Sequence, residues 1–532
     1  MADEYVLCSG RVLTDPMMVR LMEQINELSP FSNPDYSWDE SGIATLMCDL
    51  FSDSLRYCPQ SGRWYLWNKA WRKQGDSGAV MDMLQTVLNL LNLYVPELRA
   101  AAENSGASEE VYKRIDEYSR FVSRLRNLNP MKHILELMTI TPDIRMNLTD
   151  MDKDPYLLNT PDGAFNLRTG RRVKSAELRE ACVTKMTTVS LPREGAPLCK
   201  RWYEFIDEIT GGDREKARFL QRALGYSILG VNREECMFVA YGAKTRNGKG
   251  TLFSTIEKIL GPDYADSAAP DLICEMHNGK TTDFNAPQPA LAKLVGVRLV
   301  NMSESPRDVR LNAAAMKTMT GRDTLVTRDL YASSFSFVPQ FTLWLNTNHL
   351  PAVTDDTVFT SSRVWVITFD QTFGPGSNRQ DKDLKEIFQD PANAPTILRW
   401  LYDGCREYLK RGSLDVPECV HAAVQAYHDE HDRLGRFLRD GYTITGSDSD
   451  TILRGDLYAA YCTWCAASDN RFRPMGSTSF YAELSRRELY AYQHHDGGWH
   501  IHGIKPGKDE AQQHKLLPQN DKPVVRGRIK LV

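Results

Sequence analysis

No stretch of this 532-residue chain approaches the roughly 18 consecutive apolar residues of a membrane-spanning helix, so no membrane partner is expected. The opening MADEYVLCSG has no basic leader followed by an apolar core, and no signal peptide is read there. Nor does one sign of charge dominate: 65 Lys and Arg stand against 69 Asp and Glu, a formal net charge of −4. A nucleic-acid partner would have to be met by a local basic surface or a channel, not by the chain as a whole. The 11 cysteines are odd in number and scattered, which fits reduced thiols in a cytoplasm and not a disulfide framework. Internal repeats and long low-complexity tracts are absent too. What remains is the composition of a globular protein, 42% hydrophobic and 25% charged, with a length that suggests roughly three or four domains.

Hydrophobic periodicity divides the chain. Residues 1–140 read as mainly helical, as in GAVMDMLQTVLNLLNLYV and SEEVYKRIDEYSRFVSRLRNL, interrupted by the strand-like RWYLWNKAWRK. Lys113, Arg120 and Arg124 share one helical face, which reads as a solvated basic stripe. In residues 141–198, DPYLLNTPDGAFNLRTGRRV carries apolar runs either side of Pro161-Asp162-Gly163, the pattern of a β-hairpin. Residues 199–372 begin helical and then alternate strand and helix, as a parallel-sheet α/β domain does. A linker candidate, TFGPGSNRQD, leads into a helical connector over 373–432. Residues 433–505 read as helix, helix and a two-stranded wing, and 506–532 as a loose polar tail.

Chemistry concentrates around CMFVAYGAKTRNGKGTLFSTIEKILG. A short apolar run ends at Tyr241, a glycine loop runs from Gly242 through Asn247 to Gly248-Lys249, and Leu252, Ile256, Ile259 and Leu260 then follow at helical spacing. Strand, glycine loop, lysine and helix together make a phosphate-binding arrangement, in which backbone N–H groups and a helix N-terminus face the phosphates. Two features depart from the usual pattern. Five residues instead of four separate Gly242 from Gly248, and Gly250 stands where a Ser or Thr hydroxyl would bind Mg²⁺. Thr251, one place further on, is the candidate replacement.

A nucleotide motor also needs a carboxylate and a polar sensor. Val297 to Met302 reads as a buried strand with Glu304 beyond its end, and FTLWLNTNHLP as a strand tipped by Asn348. Arg363 immediately precedes a third strand. Between them, Thr324 to Leu330 and Ser334 to Val338 read as a hairpin whose tip lies near Tyr331, made locally basic by Lys317, Arg322 and Arg328. Such cations grip a phosphate backbone without reading sequence.

These residues resemble superfamily 3 helicases, closest in type to the phage and plasmid primase–helicase family related to poxvirus and satellite-phage replication proteins. The resemblance rests on YGAKTRNGKGTL, LVGVRLVNMSE, MKTMTGRDTLVTRDLY and LNTNHLP with SSRVWVITF. It covers roughly residues 140–430 and extends more loosely to both sides. It implies an α/β fold: a P-loop AAA+-like parallel-sheet core, a mainly helical N-terminal region and a C-terminal winged-helix-like domain. It also implies ATP and Mg²⁺ as cofactors, with Gly242, Asn247, Gly248, Lys249, Gly250 and Thr251 at the nucleotide. Glu304 would organise Mg²⁺ with Thr251, Asn348 would sense the γ-phosphate, and Arg363 would reach the nucleotide of a neighbouring subunit. Lys317, Arg322, Arg328 and Tyr331 fall in the DNA-binding hairpin. The implied function is an ATP-dependent helicase of phage or mobile-element replication, a ring, usually a hexamer, that acts on single-stranded and forked DNA in the host cytoplasm. A primase or another replication protein would be a further partner.

Two alternatives stay open: an initiator or loader that uses ATP only to assemble, and a primase–helicase with an unrecognised site in residues 1–140. No cluster of metal-binding carboxylates marks such a site there. Cys462 and Cys465, with His494, His495, His500 and His502 downstream, invite a zinc reading. The cysteine pair lies within an amphipathic helix, where small core residues serve equally. Arg471, Arg473, Arg486 and Arg487 give the C-terminal domain a surface expected to bind DNA.

Overall fold

In a computed structural model, residues 4–8, 10–275, 288–303, 309–327, 335–353, 355, 357–374, 381–468, 474–494 and 497–507 are described. The chain forms two compact units, one from residues 1–351 and 362–420, the other from residues 352–361 and 421–532.

After a short pair of strands, Tyr5–Val6 and Val12–Leu13, the first unit contains the helices Pro16–Leu28, Glu40–Leu50, Gly78–Ser105, Glu109–Leu125 and Leu128–Ile140. Asp15 caps the first of them by accepting from the amides of Met17 and Met18, with Pro16 fixing the entry. In the long helix, Val80, Leu84, Val87, Leu88, Leu91, Tyr94 and Val95 form the buried stripe that its apolar spacing dictates. Lys113 pairs with Glu109 at 3.4 Å on an exposed face, as expected for a solvated stripe. The aromatic RWYLWNKAWRK supplies the strands Arg63–Trp67 and Trp71–Lys73, which join Leu55–Cys58 in a small antiparallel sheet. The NTPDG segment turns at Pro161-Asp162, pairing Leu157–Thr160 with Gly163–Asn166, and Arg172–Val173 adds a third strand.

Two helices, α1 (Lys200–Thr210) and α2 (Arg214–Tyr226), precede the central sheet. Asp213 caps α2 through the Lys216 amide, and Gly211 ends α1 in the left-handed region. The sheet consists of β1 (Met237–Tyr241), β2 (Ala265–Ala268), β3 (Leu299–Ser303), β4 (Thr342–Thr347) and β5 (Val364–Thr368). Helix α3 (Lys249–Leu260) follows β1, and α4 (Ala394–Arg411) follows the sheet. Strand order is β2-β3-β4-β1-β5, and every pairing is parallel. A parallel sheet covered on both faces calls for apolar strands, and the first four residues of β1 and of β3 are buried. Trp344 stacks on Phe238 at 4.6 Å, and its indole donates to Ser227 Oγ at 2.9 Å.

Helix α4 is part of this core and packs against α2. The two helices approach so closely that a Cβ on Gly404 would lie 2.2 Å from the Gln221 carbonyl oxygen. A Cβ on Gly225 would lie 2.2 Å from the Cys405 amide. The expected connector over 373–432 therefore divides, with residues through Val420 in the first unit and the remainder in the second.

The second unit contains the helices Arg433–Gly441, Arg454–Ser468 and Ser477–Arg486. Its three-stranded antiparallel sheet places Trp499–His502 between Thr451–Leu453 and Ala491–Gln493, one strand more than the two-stranded wing the sequence suggests. Arg487 grips Asp432 with two bonds of 3.0 and 2.7 Å. Phe359, from the segment 352–361, sets its ring edge-on to Tyr427 at 5.1 Å, beside the fully buried Val358. Cys465 and Tyr461 are buried in this core. Among the described residues, no group of three or more His, Cys, Asp or Glu is arranged to hold a metal. His495, Arg471 and Arg473 lie outside the described residues. None of the eleven cysteines is in a disulfide, and no helix among the described residues is long and apolar enough to cross a membrane.

Candidate active site

Because β1 to β5 are parallel, whatever follows a strand comes to one edge of the sheet and whatever precedes it comes to the other. The loop after β1 and the residue after β4 share the first edge. There Lys249 Nζ donates to Asn348 Oδ1 at 2.8 Å. Lys249 is almost fully buried, and burial pushes its ammonium down to about 8 from the ordinary 10.5. A buried ammonium facing a neutral amide is poorly compensated, so an anion arriving there would be favoured.

The loop is built for close approach. A Cβ on Gly242 would lie 2.1 Å from Asn247 Nδ2 and 3.0 Å from Lys249 Nζ. Gly248 caps α3 at φ +86°, and a Cβ there would meet Ile209 of α1 at 2.4 Å. Asn247 is buried and donates to the Lys244 carbonyl at 2.7 Å, which closes the loop on itself. Within the lengthened loop, Arg246 has a left-handed φ of +58°. The Arg246 carbonyl accepts from the Phe373 amide at 2.8 Å, beyond β5. Gly250 faces open space, with nothing within 4 Å of an added Cβ. Thr251 is half-buried in the first turn of α3. The arrangement suits a phosphate chain: the amides of a helix start, glycines where side chains would obstruct, and a buried cation.

Ser303 ends β3 at the same edge, while Glu304 lies outside the described residues. Two residues earlier, Asn301 Nδ2 donates to Glu257 Oε1 of α3 at 2.8 Å and to Ser303 Oγ at 3.3 Å. Burial raises the Glu257 carboxyl above its usual range, against the opposing pull of that Asn301 bond. This brace between α3 and β3 gave no sign in the sequence, since neither residue belongs to a recognisable pattern.

Arg363 stands apart from this cluster. It precedes β5, its carbonyl accepts from the Met237 amide at the start of β1, and it therefore lies at the opposite edge of the sheet. A five-residue strand puts that edge on the order of 15 Å from the loop. There its guanidinium bonds Glu235 Oε2 at 2.9 Å. Arg322 joins the same group, donating to the carbonyls of Asn232 at 3.2 Å and Arg233 at 2.9 Å. Arg322 is thus held by backbone at the foot of its hairpin, and Glu235 is a partner that sequence reasoning missed. Lys317 is half-buried on helix Ala313–Thr320. The strands Leu325–Thr327 and Phe335–Phe337 pair antiparallel, as the hairpin reading expects. Arg328 and Tyr331 lie outside the described residues.

A mixed α/β fold with a five-stranded parallel sheet thus carries a glycine loop, a buried lysine and a strand-end asparagine at one edge. The D5 N-terminal-like family profile matches residues 44–211, and the chain is similar to viral proteins that carry the name of helicase. The protein named helicase 022R of Frog virus 3 (isolate Goorha) is 28% identical over 269 residues, 48% of this chain and 27% of its own length. The protein named helicase L207/L206 of Acanthamoeba polyphaga mimivirus is 24% identical over 428 residues, 76% of this chain and 43% of its own length. Both names rest on an inferred activity. The chain spans between 27% and 43% of the length of the curated relatives it matches. The apo structure of the NrS-1 C-terminal region aligns with 88% of this chain and 99% of that one at 10% identity, with a TM-score of 0.45, a likeness too distant to carry weight.

Proposed function

We propose that the chain is the motor of an ATP-dependent DNA helicase of phage or viral replication, ring-forming and of the superfamily 3, AAA+-like type. The observation that carries this reading is the buried Lys249 ammonium bonded to Asn348 across neighbouring parallel strands. In this reading the amides at the start of α3 cradle the phosphates, and Lys249 trades its amide partner for phosphate oxygens. Asn348, so released, orients toward the γ-phosphate and the attacking water. Thr251 and Glu304 are the residues that would hold Mg²⁺, which when bound neutralises charge on the phosphates. Arg363 acts on the nucleotide of a neighbouring subunit, in keeping with its distance from the loop of its own chain. The hairpin around Lys317, Arg322, Arg328 and Tyr331 follows single-stranded DNA, and the C-terminal unit, read as winged-helix-like, contacts duplex.

DNA-stimulated ATP hydrolysis by the purified chain tests the reading. Lys249→Ala is expected to reduce the rate at least a hundredfold, the scale for a phosphate-clamping cation, and retention of activity sinks it. The occupied state of Arg363, already paired with Glu235, favours one second reading: an initiator that uses ATP only to assemble. Strand displacement on a forked duplex separates the two, since an initiator would load with Glu304→Gln and never unwind.

A further inference from the structure

The NTPDG segment has no part in the motor chemistry, yet it lines a concavity of ≈ 590 Å³. Three cations converge on it, Lys69, Arg172 and Lys174, against one carboxylate, Asp162. They come from two different sheets. Lys69 sits in the turn between Arg63–Trp67 and Trp71–Lys73, while Arg172 and Lys174 flank Val173. Alternation along a strand sends Arg172 and Lys174 to one face and Val173 to the other, and Val173 is indeed buried while both cations are exposed. None of the three cations is ion-paired with a carboxylate among the described residues. Among the described residues, the Arg172 guanidinium donates to the Asp162 carbonyl.

The two turns are fixed to each other. Asn159, fully buried, donates through Nδ2 to the carbonyls of Lys69 at 2.9 Å and Lys185 at 3.0 Å. Its own amide donates to Tyr264 Oη at 3.1 Å, and Thr160 Oγ1 to the Gly163 carbonyl at 2.6 Å. The cations are therefore mounted on a rigid frame, so little ordering cost falls on a ligand. The volume lies in the range of small-molecule sites, roughly 300–1,000 Å³. Among the described residues no aromatic lines it, so a base finds no stacking surface among them.

We infer that this concavity binds the phosphate of a nucleotide unit, without preference for the base. Lys69, Arg172 and Lys174 take the phosphate oxygens, and the Ser175 hydroxyl and Pro161 ring border the remaining space. The unit comes either from a single strand threading past the site or from a free nucleotide. The inference does not depend on the phosphate loop.

Lys69→Ala/Lys174→Ala, made in the full chain carrying Lys249→Ala, tests it with the loop already silenced. In one arm, fluorescence anisotropy follows labelled oligothymidylate and oligodeoxyadenylate across salt concentrations. Affinity is expected to fall about tenfold or more, and the slope of log affinity against log salt by about 1.4, or roughly 0.7 per lost cation. The two oligonucleotides should lose equally. In the other arm, a fluorescent ATP analogue reports free nucleotide, and loss there with strand binding intact assigns the site to free nucleotide. Lys69→Arg/Lys174→Arg should retain binding in whichever arm responds, and an unchanged melting temperature excludes misfolding. Unchanged binding and slope in both arms overturn the inference, as does an equal loss in the arginine variant.

Discussion

At the scale of single residues, the proposed site turns on a lysine that burial holds near neutrality. Free in the unfolded chain, Lys249 keeps its proton to about 10.5; folded and empty, it releases it at about 8. The unfolded state therefore binds more protons between these values, and this residue's contribution to stability rises with pH across that window. Nucleotide binding has the opposite dependence, because phosphate attracts only the ammonium. Affinity for ATP is expected to fall by up to about tenfold per pH unit above 8, with proton uptake on binding. Calorimetry in buffers of differing ionisation enthalpy measures that uptake. The glycines of the loop should separate sharply under substitution. Gly248→Ala meets both a left-handed φ and the Ile209 side chain, and should abolish nucleotide binding. Gly250→Ser enters open space, and should bind nucleotide at least as well as the parent in the same assay. Lys249 and Asn348 were legible as candidates because strand, loop and strand-end leave local patterns. The engagement of Arg322 and Arg363 with residues 232–235 was not, since an ion pair between residues 128 positions apart has no local signature.

At the scale of elements, periodicity gave most of what folds. The helices Gly78–Ser105 and Glu109–Leu125, the turn at Pro161-Asp162 and the hairpin after Arg322 all follow from spacing and turn chemistry. The assignment of α4 did not follow, because two glycines far apart in sequence set its place. Gly225 and Gly404 remove the side chains that would hold α2 and α4 apart. Gly404→Val should then force the helices apart at a cost of about 1–3 kcal/mol or more. A lowered urea midpoint for the first unit checks this, with Gly412→Ala, where no neighbour lies within 4 Å but φ is +75°, as a milder comparison.

At the scale of the whole molecule, a ring in which Arg363 serves a neighbouring site makes a prediction that no single subunit can fulfil. Lys249→Ala and Arg363→Ala should each be inactive alone. Mixed in equal amounts they should recover about a quarter of the parental ATPase, since one interface in four pairs an intact lysine with an intact arginine. No recovery would place Arg363 in a structural role with Glu235. The two-unit organisation also bears on how the molecule can be taken apart. Residues 352–361 leave the first unit shortly after Asn348 and return to it just before Arg363, carrying the buried Val358 and setting the Phe359 ring against Tyr427 of the second. A truncation after Val420 would strip Phe359 of its aromatic partner Tyr427. Separating the motor cleanly would need a second edit, a short polar bridge from Pro351 to Ser362, and a fragment made without it should aggregate.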